Sequence, residues 1–328
     1  MLAIEYEKYG LPDVLKVRDV PKPVPGKTEI LVKVHATTVT SADRLARSLD
    51  MPAGFGLMGR LVFGVFGPRR HILGTEFAGE VEAVGNQVTG FKPGDEVFAF
   101  PGAGFGGYAQ YATMAQDKAI ALKPAGLSYN QAVALSFGGG TALNFLRDKG
   151  NIQSSDRVLV IGAAGVVGSA AVQLAKHFGA HVTGVCHTDG LEMVRSIGAD
   201  EVIDYTTTDF TLSGDTYDII LDTSGTATYR RCEASLRDNG RVLLVTANLW
   251  QLLGMVFTSK KRGKKGIGGY APERVEDLVF LASLAEKGTF RPYVGKQFPL
   301  ERAAEAHAFF ENGHKKGNIV MTVGQGAV

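Results

Sequence analysis

A chain of 328 residues exceeds the size at which one hydrophobic core usually divides, so two domains are expected. Its 45% apolar and 21% charged content is that of an ordinary globular protein, and a net charge of +2 lacks the basic excess of a nucleic-acid binder. The two cysteines, Cys186 and Cys232, cannot make a disulfide framework or a cysteine-rich zinc site.

Met1–Lys8 alternates like a strand and lacks the apolar core of a signal peptide, and no run reaches the ~20 apolar residues of a membrane span. A reducing, cytoplasmic setting is expected. Residues 1–123 then read as β-rich: Glu29–Val34, Glu80–Val84 and Asp95–Phe100 are short alternating runs, punctuated by Pro21–Gly26 and Lys92–Asp95. Ala53–Phe66 is unusually apolar and glycine-rich for a loop, and reads as the wall of a pocket for a hydrophobic ligand or as packing against the β domain.

From Leu127 the texture changes to alternating helix and strand, opening with Ser128 as N-cap and Gln131 three residues later. Strands are predicted at Val158–Ile161, Val182–Val185, Val202–Ile203, Ile219–Asp222 and Val242–Val245, the pattern of a doubly wound parallel sheet. Leu249–Phe257 followed by Lys260–Lys265 sets apolar residues beside a basic cluster. Such a segment fits a membrane surface or a subunit interface, and the favoured reading is a flap over the substrate cleft with surface lysines. A helix over Phe298–Phe310 and a last strand over Asn318–Val323 close the chain.

The most informative stretch is Val158–Ile161 running into Gly162, Gly165 and Gly168, spaced Gly-x-x-Gly-x-x-Gly, with a helical pattern following at once. Such a strand–turn–helix lets backbone approach a pyrophosphate and offers it the helix N-terminus. Val167, Ala171, Leu174, Ala175 and Phe178 share one helical face, and Gly179 stands where a helix end favours a left-handed residue. The reading is a dinucleotide site at Gly162, Ala164, Gly165, Val166, Val167 and Gly168; a merely structural turn is the alternative.

The chain resembles the medium-chain dehydrogenase/reductase superfamily, and within it the zinc-independent, quinone oxidoreductase-like branch. The residues carrying the resemblance are Phe91–Val97, Phe105–Tyr111, Gly138–Ala142, the glycine loop, Tyr217–Asp222, Leu236–Arg241 and Gly313–Val320. It implies an α/β fold in which a Rossmann doubly wound parallel sheet, residues 124–291, is inserted in a β-rich GroES-like barrel domain, residues 1–123 plus 292–328. It also implies an active site in the cleft between them and a homodimer. Where zinc relatives carry a catalytic Cys and Gly-His-Glu, this chain has Val39–Asp43 and Gly74-Thr75-Glu76. Thr75 is a poor zinc ligand, so no metal is expected. Gly184–Asp189 imitates a zinc-cysteine motif but falls on the second Rossmann strand.

An acid about 20 residues beyond the glycine loop usually binds the adenosine ribose and selects NAD; here the count reaches His187 and Thr188. Both can hydrogen-bond a 2′-phosphate, and Tyr205 matches a tyrosine that approaches it in relatives. Asp189 argues the other way. NADPH is therefore expected over NADH. By resemblance, Thr141 lies near the nicotinamide and Ser224 and Thr246 border the cleft, with a helix cap the bland reading of Thr141. Candidates for chemistry are Asp43, Thr40 (a common Asn in relatives) and Tyr108, with solvent an alternative proton source. The expected activity is hydride transfer from NADPH to a quinone or α,β-unsaturated carbonyl, a small hydrophobic electron acceptor. The alternatives are an NAD(H)-dependent zinc-free dehydrogenase and a non-catalytic NADPH-binding redox sensor.

Overall fold

The computed structural model describes residues 1–258, 263–313 and 316–324, with backbone alone for 256–258. In the N-terminal half, β1 (Leu2–Glu5) pairs with β2 (Lys16–Asp19). The long strand β3 (Glu29–Thr38) leads to helices α1 (Ser41–Ser48) and α2 (Gly56–Phe63), and then to β4 (Phe77–Val84), β5 (Glu96–Ala99), β6 (Tyr111–Ala115) and β7 (Ile120–Leu122). Helices α3 (Tyr129–Val133) and α4 (Ser136–Leu143) open the second half. It continues through β8 (Arg157–Ile161), α5 (Val166–His177), β9 (His181–Cys186), α6 (Leu191–Ser196), β10 (Glu201–Asp204), β11 (Tyr217–Asp222) and α7 (Tyr229–Cys232). It ends with β12 (Leu236–Leu244), α8 (Leu249–Thr258), β13 (Lys265–Gly268) and α9 (Val275–Glu286). The chain closes with β14 (Val294–Pro299), α10 (Ala303–Glu311) and β15 (Asn318–Thr322).

Six strands form a parallel sheet in the order β10-β9-β8-β11-β12-β13, the doubly wound order whose switch point lies beyond β8 and β11. Its strands are apolar on both sides because each side faces a core. Val158, Val160, Ile219, Leu221 and Leu243 enter one cluster, with α4, α5 and α9. Their neighbours Leu159, Ile161, Ile220, Val242 and Leu244 enter the other, as the two-residue period of a strand requires. Each fully buried branched side chain contributes ~1.5–3 kcal/mol relative to exposure. The second sheet has seven strands, ordered β14-β15-β3-β4-β5-β7 with β6 also on β3. The C-terminal strand β15 thus pairs antiparallel with β3, so the end of the chain returns to the N-terminal sheet. The molecule is an α/β protein with a Rossmann sheet beside a β-rich domain.

Ser128 and Gln131 make the expected capping box at α3, and Gly179 ends the helix pattern of α5 at φ +85°. Two expectations change. Phe298 and Pro299 belong to strand β14, paired with Met321 and Thr322, and α10 starts only at Ala303 after a short turn over Leu300–Arg302. Proline lacks the N–H a helix interior needs, so the helical periodicity could not extend back through it. The Ala53–Phe66 segment is not a plain loop: it carries α2, stopped at Gly64 (φ +132°), where an added Cβ would strike the Gly67 carbonyl at 1.9 Å.

Candidate active site

The residues around the glycine loop open onto a cleft of about 480 Å³. Gly162 adopts φ +79°, a conformation that glycine takes without strain, and turns the chain from β8 toward α5. A Cβ on Gly168 would lie 2.1 Å from the Gly162 carbonyl, so the third glycine lets the helix sit tight on the turn. Helix α5 has no side-chain cap at its N-cap, Gly165, which leaves its first N–H groups directed outward. These uncapped donors and the helix dipole suit a pyrophosphate. Helix α4 packs close behind: Cβ atoms at Gly138 and Gly139 would meet Val166 and Leu281 at 2.9 and 2.8 Å. This close packing is what the Gly138–Gly140 run provides.

Of the cofactor residues read from the sequence, Gly162, Ala164, Gly165, Val166, Val167, His187, Tyr205, Ser224 and Thr246 line the cleft. Gly168 lies beneath it. Thr188 does not line it: its hydroxyl donates to Asp204 at 2.5 Å, in a network with Thr206. Thr141 is buried within α4, five residues past its start, so the helix-cap reading of that residue is set aside. The rings of His187 and Tyr205 meet edge to face at 5.9 Å. Strand β9 ends at Cys186, and the nearest acid in the following turn is Asp189, which also lines the cleft.

Lys316 was not singled out from the sequence, yet it lines the cleft with His187 and Tyr205, and its charge reaches Cys186 at the end of β9. Its position is fixed by its neighbour. Gly317 donates its N–H to the Ala164 carbonyl of the glycine loop at 2.8 Å, and at φ +58° a Cβ there would lie 2.3 Å from the Tyr293 carbonyl. The signal lay in Gly313–Val320, but only the tertiary contact between Gly317 and Ala164 brings that segment to the glycine loop, 153 positions earlier in the chain. His314 and Lys315 lie outside the described residues.

Behind the opposite side of the cleft lie side chains that satisfy one another. Asp43 is fully buried at the start of α1, where it accepts from Thr40 N (3.0 Å), Thr40 Oγ1 (2.6 Å), Gly74 N (3.0 Å) and Thr75 N (3.1 Å). The Thr75 hydroxyl lies within reach of both Asp43 and Thr40. Burial pushes the Asp43 carboxyl up, and this ring of donors pulls it back. Thr40 is the N-cap of α1 and makes a capping box with Asp43. Next in the chain, Glu76 is buried and accepts from the Thr38 hydroxyl and, at 2.6 Å, from the Phe137 N–H at the head of α4. Desolvation holds Glu76 up at about 8, opposed by those two donors.

Tyr108 is wholly buried and its hydroxyl lies 2.9 Å from His307 Nε2. Arg47 Nε donates to His307 Nδ1 at 3.2 Å, and the guanidinium also bonds the Gly10 carbonyl and Glu311. Burial, then the Arg47 charge, depresses His307 to about 3, so the ring is neutral and Nε2 carries the proton toward Tyr108. Thr40, Asp43 and Tyr108 are therefore all internally bonded, and none is among the residues lining the cleft. From this side the cleft is lined instead by Ser41, Arg44, Phe310 and Glu311, which the sequence reading did not select. Among the described residues no three His, Cys, Asp or Glu side chains converge as metal ligands.

Comparison with known proteins agrees with this geometry. Residues 26–124 match the family described as alcohol dehydrogenase GroES-like domain, and residues 197–321 the family described as zinc-binding dehydrogenase. The chain is 31% identical to a chloroplast envelope quinone oxidoreductase homolog of Arabidopsis thaliana, covering 98% of each. It is 32% identical to a 2-methylene-furan-3-one reductase of Solanum lycopersicum, over 98% of this chain and 79% of the other. The solved quinone oxidoreductase of Coxiella burnetii superposes with a TM-score of 0.86 at 29% identity, covering 99% of both chains. With its Rossmann sheet, glycine turn and GroES-like half, the chain belongs to the medium-chain dehydrogenase/reductases, in the quinone oxidoreductase-like branch of these NAD(P)H oxidoreductases.

Proposed function

We propose that this protein transfers a hydride from NADPH to a quinone or an α,β-unsaturated carbonyl without zinc. The observation that carries the cofactor choice is Lys316, which lines the cleft with His187 and Tyr205 and lies near enough to Cys186 for its charge to act on that thiol, beside a strand that ends in Cys186 rather than an acid. A lysine there offers a 2′-phosphate a charge-assisted hydrogen bond, and such bonds are about twice as strong as neutral ones. Asp189 opposes it, at 3.6 Å from His187 Nδ1. When bound, the dinucleotide supplies the hydride; the chain supplies position. The uncapped start of α5 would hold the pyrophosphate and Ser224 and Thr246 would border the remainder of the cofactor, with Phe137 also lining the cleft.

Zinc does not fit the residues present. Position 75 offers a hydroxyl engaged with Thr40 and Asp43, and Glu76 is turned to Thr38 and the Phe137 N–H. The two cysteines lie in the other half of the chain, and burial holds their thiols up at about 11 and 12. Without a Lewis acid to stabilise an alkoxide, an already electrophilic acceptor is the easier substrate. The similarity to a reductase named for an enone fits this choice. We assign Asp43 and Thr40 to positioning: they tie Gly74–Thr75 to the head of α1.

The internal bonding of Thr40, Asp43 and Tyr108 also favours a second reading, a non-catalytic NADPH-binding redox sensor, which needs no proton donor in the cleft. Steady-state assay of chelator-treated protein against a panel of quinones and enones separates the two. NADPH consumption supports the enzyme, whereas tight NADPH binding without turnover on any acceptor supports the sensor.

A further inference from the structure

Helix α2 and the turn after it present an apolar surface to solvent. Leu57 (74% exposed), Met58, Leu61 and Val62 point outward from the helix, and Phe66 beyond it is entirely exposed. Only Phe63 reaches the core, where its ring lies 6.2 Å from Phe105. This helix does not line the cleft, contrary to the pocket-wall reading of Ala53–Phe66. A second apolar edge stands beside it. Leu249 at the start of α8 donates its N–H to Ala53 at 3.1 Å and packs its side chain on Gly54, two residues before α2 begins. On α8, Leu252 and Met255 pack inward, while Trp250 (67% exposed) and Leu253 lie one turn apart on the outer face. Exposed apolar surface on two adjoining helices is unusual for a lone soluble surface.

Charge decides what covers it. Between Asp50 and the buried Glu76 the sequence contains Arg60, Arg69, Arg70 and no acid; between Asp238 and Glu273 it again contains no acid. Arg60, Arg69, Arg70 and Lys265 are exposed, and Asp50 at the edge is already paired with Arg44 at 2.5 Å; the exposed Glu7, whose backbone borders the turn at Gly67, offsets one charge and leaves the cations in excess. A second copy of the chain would bring the same cations against these, and like charges placed together disfavour that contact. An anionic lipid bilayer matches both features: acyl chains for Leu57, Leu61, Phe66 and Trp250, headgroups for the arginines. No helix among the described residues is long and apolar enough to cross a membrane, so the contact is one of surface docking. Lys260, Lys261 and Arg262, part of the basic cluster in the sequence, lie outside the described residues.

We propose that the face formed by α2, the Gly64–Arg70 turn and α8 docks this protein on anionic membranes. Thr246 lines the cleft and α8 begins three residues later, so docking sets the cleft beside the bilayer. This goes beyond the reaction and does not depend on it. Trp250 is the sole tryptophan and lies within the face, so the unmodified protein carries its own probe. Its emission is to be recorded with vesicles of phosphatidylcholine alone and of phosphatidylcholine mixed equally with phosphatidylglycerol, alongside co-sedimentation. The anionic vesicles are expected to shift the emission to the blue and pellet the protein, less so at high salt. R60Q/R69Q/R70Q should weaken partitioning roughly a hundredfold, at about fivefold per cation near the surface. L57E/L61E, exposed and therefore compatible with folding, should abolish the shift. Three results would overturn the proposal: no shift and no pelleting with anionic vesicles; undiminished binding in both variants; or a vesicle-free shift that grows with protein concentration together with a doubled sedimentation mass, which would give the face to a second copy.

Discussion

The two walls of the cleft are built in opposite ways. The Rossmann wall is mostly backbone: glycines remove side chains from Gly162, Gly165 and Gly168, and α5 starts without a cap, so donors are left open to a ligand. Behind the facing side, which Ser41, Arg44, Phe310 and Glu311 line, polar side chains are abundant but bonded to one another: Asp43 to Thr40, Gly74 and Thr75, Glu76 to Thr38 and Phe137, Tyr108 to His307. The Rossmann wall binds, and the bonded layer behind the facing side holds shape. A polar residue near an active site thus need not be chemically available, since a fully bonded buried carboxylate serves the backbone it holds.

Substitutions on each wall should fail in different ways. The largest effect is expected from Gly168→Val, whose side chain meets the Gly162 carbonyl. Nucleotide affinity by calorimetry should drop about a hundredfold, equivalent to ~2.7 kcal/mol, while circular dichroism stays native. Asp43→Ala should act on stability instead, leaving the buried Gly74 and Thr75 N–H groups without an acceptor. A loss of about 2–4 kcal/mol in urea unfolding is expected, and nucleotide affinity measured well below the transition should be unchanged.

A smaller and more selective effect belongs to Lys316→Ala. Losing one charged hydrogen bond of ~1.5–3 kcal/mol should raise the KM for NADPH about tenfold to a hundredfold and leave that for NADH alone. Equal effects on both would remove the 2′-phosphate role. The mildest effect at neutral pH is expected from Glu76→Gln. The folded carboxyl titrates near 8, above an unfolded value of ~4.3, so the folded state holds the extra proton in between. Its contribution is complete below the unfolded value and is lost as pH rises through about 8. Wild-type stability should therefore decline over that window relative to the glutamine variant, with parallel profiles counting against the assignment.

The Rossmann half was legible because its signals are local. Short continuous runs of branched apolar residues give the strands, and Gly162–Gly168 gives the turn within one stretch of chain. The other wall was not, because burial and pairing are tertiary: nothing local says that Tyr108 meets His307, 199 residues away. Lys316 was missed for the same reason, since its place follows from the bond between Gly317 and Ala164. Helix α2 was read as a loop because its flanking glycines are turn formers, although Leu57–Phe63 supplies enough apolar helix-compatible residues for two turns.

The most direct test of the proposed function is the ratio of kcat/KM for NADPH and NADH, measured with one quinone on protein dialysed against a strong chelator. A ratio well above ten with activity unchanged by the chelator is the expected result, ten being ~1.4 kcal/mol of preference. A ratio at or below one, or activity that disappears with the chelator and returns with zinc, would contradict it.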